Sequence, residues 1–396
     1  MNRLLYLRIL FVCTAITSTA LGQGLRLSGY YENQFFPQEI AGKLIFQDYN
    51  KIRIDLSSDI SKNLSFNGNY NYRTFHGKTQ FNALDFIPQV VVDRFSAETG
   101  ISINALRPYL SVEQNDENFL DNAFVTIYSK HFTLRIGKQQ LPWGTGYTWN
   151  PTDIFNDKNT LDPMYEKVGV NAFKIEIPFG ASSYLSGILS VDENWSRSTK
   201  AFKAKTHLSG FDLSITFAEK SQQVSPISLN GEFTEKRRML GADASGELLG
   251  LGVWGEAAHN FMDDTHNYSQ YLFGADYTFE GGLYIISEYY HNELGKRDKN
   301  NYALADWVRL LSADAENLGQ DYLFGGQMYP IAELWTWSNY ALVNLNDWSG
   351  IIFPWFEYSL NDNTELIFVG YVPFGSTASE FGEFGKGGFA RIRVYF

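Results

Sequence analysis

Apolar and polar residues alternate along most of the chain after residue 22. The clearest stretch is 211–217, FDLSITF, where Phe, Leu, Ile and Phe take one set of positions and Asp, Ser and Thr the other. The same period of two recurs at 51–56, 132–137 and 273–279. It predicts strands with one apolar and one polar face. Because the polar faces carry charges, they suit a water-filled interior better than the dry interface of a β-sandwich.

The connections between these strands alternate in length. Tight turns are predicted near 61–63, 129–130, 179–180, 209–210, 249–250, 281–282, 329–330 and 361–363. Longer and mostly polar connections fall between them, at 75–118, 142–167, 221–235, 293–320 and 374–386. Short turns on one side and long loops on the other are typical of outer-membrane barrels, whose short turns face the periplasm.

These patterns predict an all-β fold, a single antiparallel transmembrane β-barrel with short periplasmic turns and long extracellular loops. Residues 23–396 are expected to form one domain, because no linker or change of composition divides them. Placing strands between the connections gives about 18, an even number as in single-chain bacterial barrels. The count is open by two, since the connection 75–118 has room for a strand pair around 90–95.

Residues 1–22 are predicted to be a cleaved signal peptide. A basic start is followed by a mostly apolar run, and the small residues Ala20 and Gly22 suit cleavage after Gly22. Arg8 interrupts the run, so the alternative, a transmembrane helix, is less well supported. The one cysteine, Cys13, lies in this segment. The mature chain is therefore expected to have no disulfide and no thiolate metal site.

The segment 387–396 alternates as well. Ala390, Ile392, Val394 and Phe396 form one apolar face. A final strand that ends in Phe on such a face resembles the signal read by the barrel-assembly machinery of the bacterial outer membrane. We therefore predict that Phe396 is an assembly signal. The expected location is the outer membrane, with its lipid, lipopolysaccharide and the assembly machinery as partners.

Composition agrees with this location. Removing residues 1–22 takes away Arg3 and Arg8 and moves the formal net charge from −12 to −14, an acidic balance that argues against nucleic acid as a partner. Aromatic residues make up 16% of the chain, and outer-membrane barrels concentrate aromatic residues in girdles at both water–lipid boundaries. Mean hydropathy is −0.24, as expected where lipid-facing and lumen-facing residues alternate.

No residue pattern predicts an enzyme. The six histidines form no HExxH or similar ligand spacing, and there is neither a GxSxG element nor a glycine-rich phosphate loop. We expect no catalytic residues, no cofactor and no metal site. A barrel lipase or protease is the less favoured enzymatic alternative.

Charged residues on the polar faces are expected to line the lumen and to divide by sign along the chain. The predicted channel-lining basic residues are Arg53, Arg73, Arg135, Lys174, Lys203, Lys205, Arg391 and Arg393, with Lys51 beside them. The predicted channel-lining acidic residues are Asp212, Asp243, Glu256, Asp276 and Glu288. Opposite walls of the lumen would then carry opposite charge, an arrangement that orients polar solutes and focuses ions.

One segment carries a resemblance to a known family. LDNAFV at 120–125 precedes LRIGKQQLPWG at 134–144 and NPTDIFN at 150–156. Over about 119–165 this arrangement resembles the alginate-export-like porins and related large outer-membrane channels. Lys138 stands where such families often have Arg. The resemblance implies an outer-membrane channel of about 18 strands, and several substrate classes share the motif.

The loop that follows this strand is predicted to enter the lumen. Pro142 cannot donate to the strand ladder, so pairing should stop there, and the aromatic loop 142–167 needs shelter from water. We predict that it forms the narrowest part of the pore, near Arg53 and Arg135. The alternative is a loop that only braces the wall. The predicted constriction residues are Trp143, Gly144, Tyr147, Trp149, Asn150 and Asp153.

The function expected from the sequence is an outer-membrane, porin-like channel for passive diffusion or export of small hydrophilic solutes. Anionic saccharides are among the candidate solutes. The main alternative is a non-conducting barrel that binds surface polysaccharide or capsule.

Overall fold

The computed structural model describes residues 24–40, 42–156, 166–224, 233–311 and 317–396. The expected signal peptide, residues 1–22, lies outside the described residues, as does the middle of the predicted constriction loop, 157–165.

Eighteen strands span the barrel, and the fourth consists of two consecutive segments. In chain order they are β1 Leu25–Ile40, β2 Lys43–Ser61, β3 Leu64–Gly77, β4 Glu117–Phe119 with Ala123–Tyr128, β5 Thr133–Gln139, β6 Val170–Pro178, β7 Tyr184–Ser190, β8 Thr199–Leu208, β9 Phe211–Val224, β10 Phe233–Leu248, β11 Leu251–Met262, β12 Tyr268–Thr278, β13 Tyr284–Asn292, β14 Asp321–Ala332, β15 Trp335–Asn344, β16 Ser349–Asn361, β17 Thr364–Phe374 and β18 Gly387–Tyr395.

The sheet closes on itself. Each strand pairs antiparallel with the next, and β1 also pairs with β18, with Tyr31 opposite Val394 and Phe35 opposite Ala390. Both segments of β4 pair with β3. Closure leaves no unpaired sheet edge in the lipid, where each unsatisfied backbone group would cost several kcal/mol. The predicted antiparallel barrel of about 18 strands is confirmed.

The predicted tight turns occur at one end of the barrel, although β1 and β2 are also separated by only two residues at the opposite end. Seven of the eight lie at the predicted places. Two of them, at Ser209–Gly210 and Leu249–Gly250, have positive φ at both turn residues, as a type I′ hairpin requires. The predicted turn near 329–330 is wrong. There β14 continues to Ala332, and the chain reverses at 333–334.

The outer face of the barrel is apolar, as the alternation predicts. On β9, Ile215 is 62% exposed and Phe217 is 49% exposed, whereas Thr216 and Ala218 between and after them are fully buried. Exposed large apolar side chains recur on the outward faces of all quarters of the sheet. Only lipid can cover so continuous an apolar surface, so the barrel spans the bacterial outer membrane.

Short elements lie in the connections at the opposite, extracellular end. They include a pair of short strands, Gln80–Asn82 and Ser111–Glu113, the helices α1 Gln89–Thr99, α2 Ile103–Leu106 and α3 Leu304–Leu311, and the 3₁₀ turns Ala83–Phe86, Arg107–Tyr109, Trp195–Arg197 and Lys299–Asn301. Among the described residues, none of the helices is long and apolar enough to cross a membrane.

The possible strand pair around 90–95 is a helix instead. Val91 and Val92 of α1 are buried in one cluster with Leu304 and Trp307 of α3. The β-branched run favours a strand locally, but burial of both side chains against α3 stabilises the helix instead.

Candidate functional site

The lumen is the candidate functional site, and the predicted charged residues lie on the strand faces that point into it. On β2, Lys51 is 5% exposed, whereas Leu56 on the opposite face is 38% exposed. On β8 and β10, Lys203 and Asp243 are buried, whereas Phe202 and Leu240 face outward. The same alternation applies along the remaining strands, so the barrel wall brings these charges around one interior.

The inward basic residues lie next to acids, which the prediction of separate charged walls did not include. The ion pairs join residues of one strand or of nearby parts of the wall. They are Arg53 Nη1 to Asp121 Oδ2 at 3.0 Å, Lys174 Nζ to Glu176 Oε1 on the same strand at 3.0 Å, Lys203 Nζ to Asp243 Oδ2 at 2.9 Å, Lys205 Nζ to Asp212 Oδ2 at 2.7 Å, Arg391 Nη2 to Glu365 Oε1 at 3.2 Å and Arg393 Nη2 to Glu32 Oε2 at 2.5 Å, with Arg73 also paired to Glu117.

Two of the five predicted acids therefore depart from the predicted separation of charge across the lumen. Asp212 and Asp243 do not face the basic residues from an opposite wall, because they neutralise Lys205 and Lys203 on adjacent or nearby strands. Burial explains the pairing of Lys203 with Asp243, since a charge removed from water needs a partner close by.

Arg135 differs from the other predicted basic residues. Its guanidinium carbon lies 4.4 Å from the centre of the Phe124 ring. Its Nε is buried without a hydrogen-bond partner, and no ion pair to it occurs among the described residues. Arg135 is also the cross-strand neighbour of Lys174.

Two of the predicted lumen acids bind the loop that follows β5. We call residues 140–169 the crossing loop; 140–156 and 166–169 are described. Glu256 of β11 accepts hydrogen bonds from the backbone N–H groups of Thr145 at 2.7 Å and Thr152 at 2.5 Å. It also accepts a longer one, 3.4 Å, from the N–H of Gly146.

Glu288 of β13 is fully buried and binds the next turn of the loop. Its carboxylate accepts from the backbone N–H groups of Tyr147 at 2.6 Å, Thr148 at 2.8 Å and Trp149 at 3.2 Å. It also accepts from the indole N–H of Trp254 at 2.6 Å. Bonds to an ionised acceptor are about twice as strong as neutral ones. The two carboxylates thus hold the loop against β11 and β13.

The aromatic residues of the loop pack along the same wall. Trp149 is fully buried and stacks on Tyr290, with ring centres 4.7 Å apart. Trp143 packs on Phe155 in an edge-to-face contact at 5.2 Å. Tyr147 stays half exposed and stacks on Phe324 at 5.3 Å. Of these predicted constriction residues, Tyr147 presents the most surface to open space in the lumen.

Gly144, Asn150 and Asp153 shape the loop from within. Gly144 has φ +91°, and a Cβ there would lie 2.5 Å from Asn150 Oδ1 and 2.7 Å from Glu256 Oε2. Asp153 binds inside the loop, accepting from Asn156 Nδ2 at 2.9 Å and Lys167 Nζ at 2.7 Å. Asp153 is therefore a brace between the two described parts of the loop.

The second described part of the loop reaches a different wall. Glu166 pairs with Lys51 of β2 at 2.5 Å and with Arg393 of β18 at 3.5 Å, and accepts from the Tyr30 hydroxyl at 3.1 Å. β2 and β11 are nine strands apart in a sheet of eighteen, so they stand opposite each other. The crossing loop is therefore tied to opposite sides of the lumen. Sequence reasoning missed Glu166, because nothing local distinguishes it from a solvated loop acid.

A cover of helices lies over the extracellular mouth. We call 83–110 and 302–311 the mouth cap. Its two segments come from the β3–β4 and β13–β14 connections, ten strands apart, and pack together through α1 and α3. Arg94 also donates to the backbone oxygen of Asn300. Segments from opposite sides can meet only across the mouth.

A buried polar cluster joins three connections below this cap. The carboxylate of Glu380 accepts from the Tyr322 hydroxyl and from Asn344 Nδ2 at 2.6 Å, and Asp347 accepts from the Tyr302 hydroxyl at 3.2 Å. Burial raises the pKa of Glu380 to about 7. Burial also raises the pKa of Tyr302. The described residues hold no group of three His, Cys, Asp or Glu side chains arranged for a metal ion.

Comparison with known proteins identifies the fold. No protein-family model matches the chain, and no curated protein matches its sequence. Among solved structures, OccAB1 of Acinetobacter baumannii has a TM-score of 0.58 at 9% identity, covering 96% of this chain and 99% of that chain. OccAB4 of the same organism has a TM-score of 0.54 at 8% identity, covering 94% and 98%. At such identities the likeness shows the porin-like barrel fold alone.

Proposed function

We propose that this protein is a passive diffusion channel for small hydrophilic solutes, and that the crossing loop sets the width of its pore. The observation that carries the proposal is the attachment of this loop to opposite walls, through Glu256 and Glu288 on one side and Glu166 on the other. Side chains cannot fill a lumen enclosed by about 18 strands, so a loop that crosses it decides what passes.

The proposal favours uncharged solutes over the anionic saccharides suggested by the basic residues. Seven of the eight predicted basic residues have an acidic partner. Local lumen charge controls selectivity in a pore, and here most of it is balanced within the wall. The family resemblance over 119–165 agrees with a channel of this size; transport of alginate itself has no support in the charge arrangement.

Conductance in a planar bilayer tests the proposal. The wild type should form steady open channels, and deletion of 145–156 should raise the conductance because the loop no longer narrows the lumen. Deletion of 193–197, in the exposed connection between β7 and β8, is the matched control and should leave conductance unchanged. Equal conductance of the two deletion variants would mean that the crossing loop braces the wall and does not narrow the pore.

The mouth cap favours a second function, a closed barrel that binds surface polysaccharide. Helices that meet across the mouth would obstruct a simple pore. The same recording separates the two functions, since a closed binding barrel gives no channel events in the wild type. In that case, binding of purified capsule polysaccharide to the reconstituted protein becomes the relevant assay.

A further inference from the structure

A cavity of about 500 Å³ lies in the extracellular half of the lumen, away from the contacts of the crossing loop with β11 and β13. Its wall is formed by the upper halves of β1, β2, β3 and β17, and its roof by the connections 78–116 and 375–386 together with Leu311 of the mouth cap. We call it the side chamber. Its volume falls within the range of sites for small ligands, which is about 300–1,000 Å³.

A second cavity of about 500 Å³, the outer cavity, lies beside the side chamber. Phe86 and Phe384 belong to the walls of both cavities, so the two spaces adjoin. Charged residues of the connections, including Asp85, Arg107 and Lys386, line the outer cavity.

The side chamber combines aromatic rings with side-chain amides. The rings of Phe36 and Tyr371 meet edge to face at 5.6 Å, and those of Tyr49 and Phe75 at 6.1 Å. The faces of such rings carry negative charge density and attract the weakly positive C–H groups of a flat sugar face. Aromatic rings at the wall of a wet cavity therefore favour a pyranose over a flexible polyol.

Four glutamines supply hydrogen-bonding groups around these rings, and each amide can both donate and accept. Sugar hydroxyls also donate and accept, so they match amides better than a charged group does. The four are Gln34, Gln38, Gln47 and Gln114.

The charges of the side chamber disfavour an acidic ligand. Arg73 is paired with Glu117, and its guanidinium lies 5.1 Å from the centre of the Phe75 ring. The carboxylate of the other charged residue of the lining, Asp48, lies on the outer face of the wall, where it accepts from Asn33 Nδ2 at 3.1 Å. No cation in this lining is left for a carboxylate or sulfate.

We infer that the side chamber binds neutral saccharides and selects them at the entrance of the channel. The inference rests on the proposed function for its role in uptake, but saccharide binding itself can be measured without conduction. An acidic saccharide of the same size should bind more weakly, and an open-chain polyol should bind weakly because it offers no flat C–H face.

Calorimetric titration of the refolded full-length protein tests the inference with maltose, digalacturonate and sorbitol as probes. Maltose should bind, and the other two should bind at least several-fold more weakly. Phe36→Ala should weaken maltose binding about three- to tenfold, the effect of one lost ring contact. Its neighbour Phe35 faces outward and stacks on Phe46, so Phe35→Ala is the matched control and should bind as the wild type does.

Gln38→Ala provides a second variant with little risk to folding, and it should also weaken maltose binding. Equal binding of maltose by the Phe36→Ala and Phe35→Ala variants, or stronger binding of digalacturonate than of maltose, would overturn the inference. Conductance of the same samples reports separately on the proposed channel. Conduction without maltose binding would refute only saccharide binding in the side chamber. Maltose binding without conduction would refute only the proposed channel function.

Discussion

Glu288→Gln is the sharpest single test of how the crossing loop is held. The carboxylate accepts four hydrogen bonds, two at each oxygen: Thr148 and Trp149 N–H at Oε1, and Tyr147 N–H with the Trp254 indole at Oε2. Glutamine keeps the size but replaces one oxygen with a donor, so two N–H groups lose their acceptor.

The expected magnitude follows from these contacts. A hydrogen bond to a charged group contributes about 1.5–3 kcal/mol. One loop bond is lost if the amide nitrogen replaces Oε2 and two are lost if it replaces Oε1, so attachment of the loop weakens by roughly 1.5–6 kcal/mol. Every 1.4 kcal/mol is about tenfold, and the detached population should therefore rise at least about tenfold. Single-channel recording should show frequent excursions to a higher conductance that are rare in the wild type.

Glu357→Gln is the matched control for this experiment. Glu357 lies on β16 and accepts one bond, from the Trp355 indole at 2.6 Å, without touching the described parts of the loop. Its traces should match those of the wild type. Identical open-channel noise in the Glu288→Gln and Glu357→Gln variants, with both barrels folded, would refute the reasoning.

Three further predictions concern other parts of the barrel. Deleting Phe396 should lower the yield of folded, heat-modifiable protein, because its backbone N–H and C=O each bond Gly29 at 3.0 Å across the closing seam; a normal yield in gel-shift assays would contradict this. Burial raises the pKa of Glu380 to about 7 from a usual 4.5, so the folded loops hold a proton that unfolded loops release, and their contacts should weaken as pH rises through this window. Hydrogen exchange at 375–386, corrected for intrinsic rates, should show this loss of protection in the wild type and a flat profile in Glu380→Gln. Arg135→Ala and Arg53→Ala should each shift the reversal potential in a salt gradient toward cations, and an unshifted potential in both would place the selective region elsewhere.

The strand faces could be predicted from the sequence because each face depends only on neighbouring residues. The alternation at 211–217 places Ile215 outward and Thr216 inward without any knowledge of the partner strands. The helix at Gln89–Thr99 could not be predicted in this way, since the packing of Val91 and Val92 depends on Trp307, more than two hundred positions later. Pro330 suggested a turn, but it lies near the end of β14, where the pairing with β15 is already irregular.

For the candidate site, the sequence predicts which face of each strand points into the lumen, but it does not predict the contacts that these side chains make. Alternation places Glu256 and Glu288 toward the lumen, but it cannot tell that backbone N–H groups of a distant loop will occupy them. Likewise, it places Lys203 and Asp243 inward without showing that they pair. Partners depend on strand register and on where a loop folds, and both are long-range properties.

The seam between β1 and β18 also bears on the order of assembly. It joins 30–38 to 387–395, so its contacts have nearly the largest sequence separation that the chain allows. Such non-local contacts form late, after the entropy of closing a very long loop has been lost. Until then the growing sheet has two open edges that the lipid cannot satisfy. The barrel therefore becomes stable in the membrane only as a whole, and a chain that stalls before its last strand remains a target for degradation.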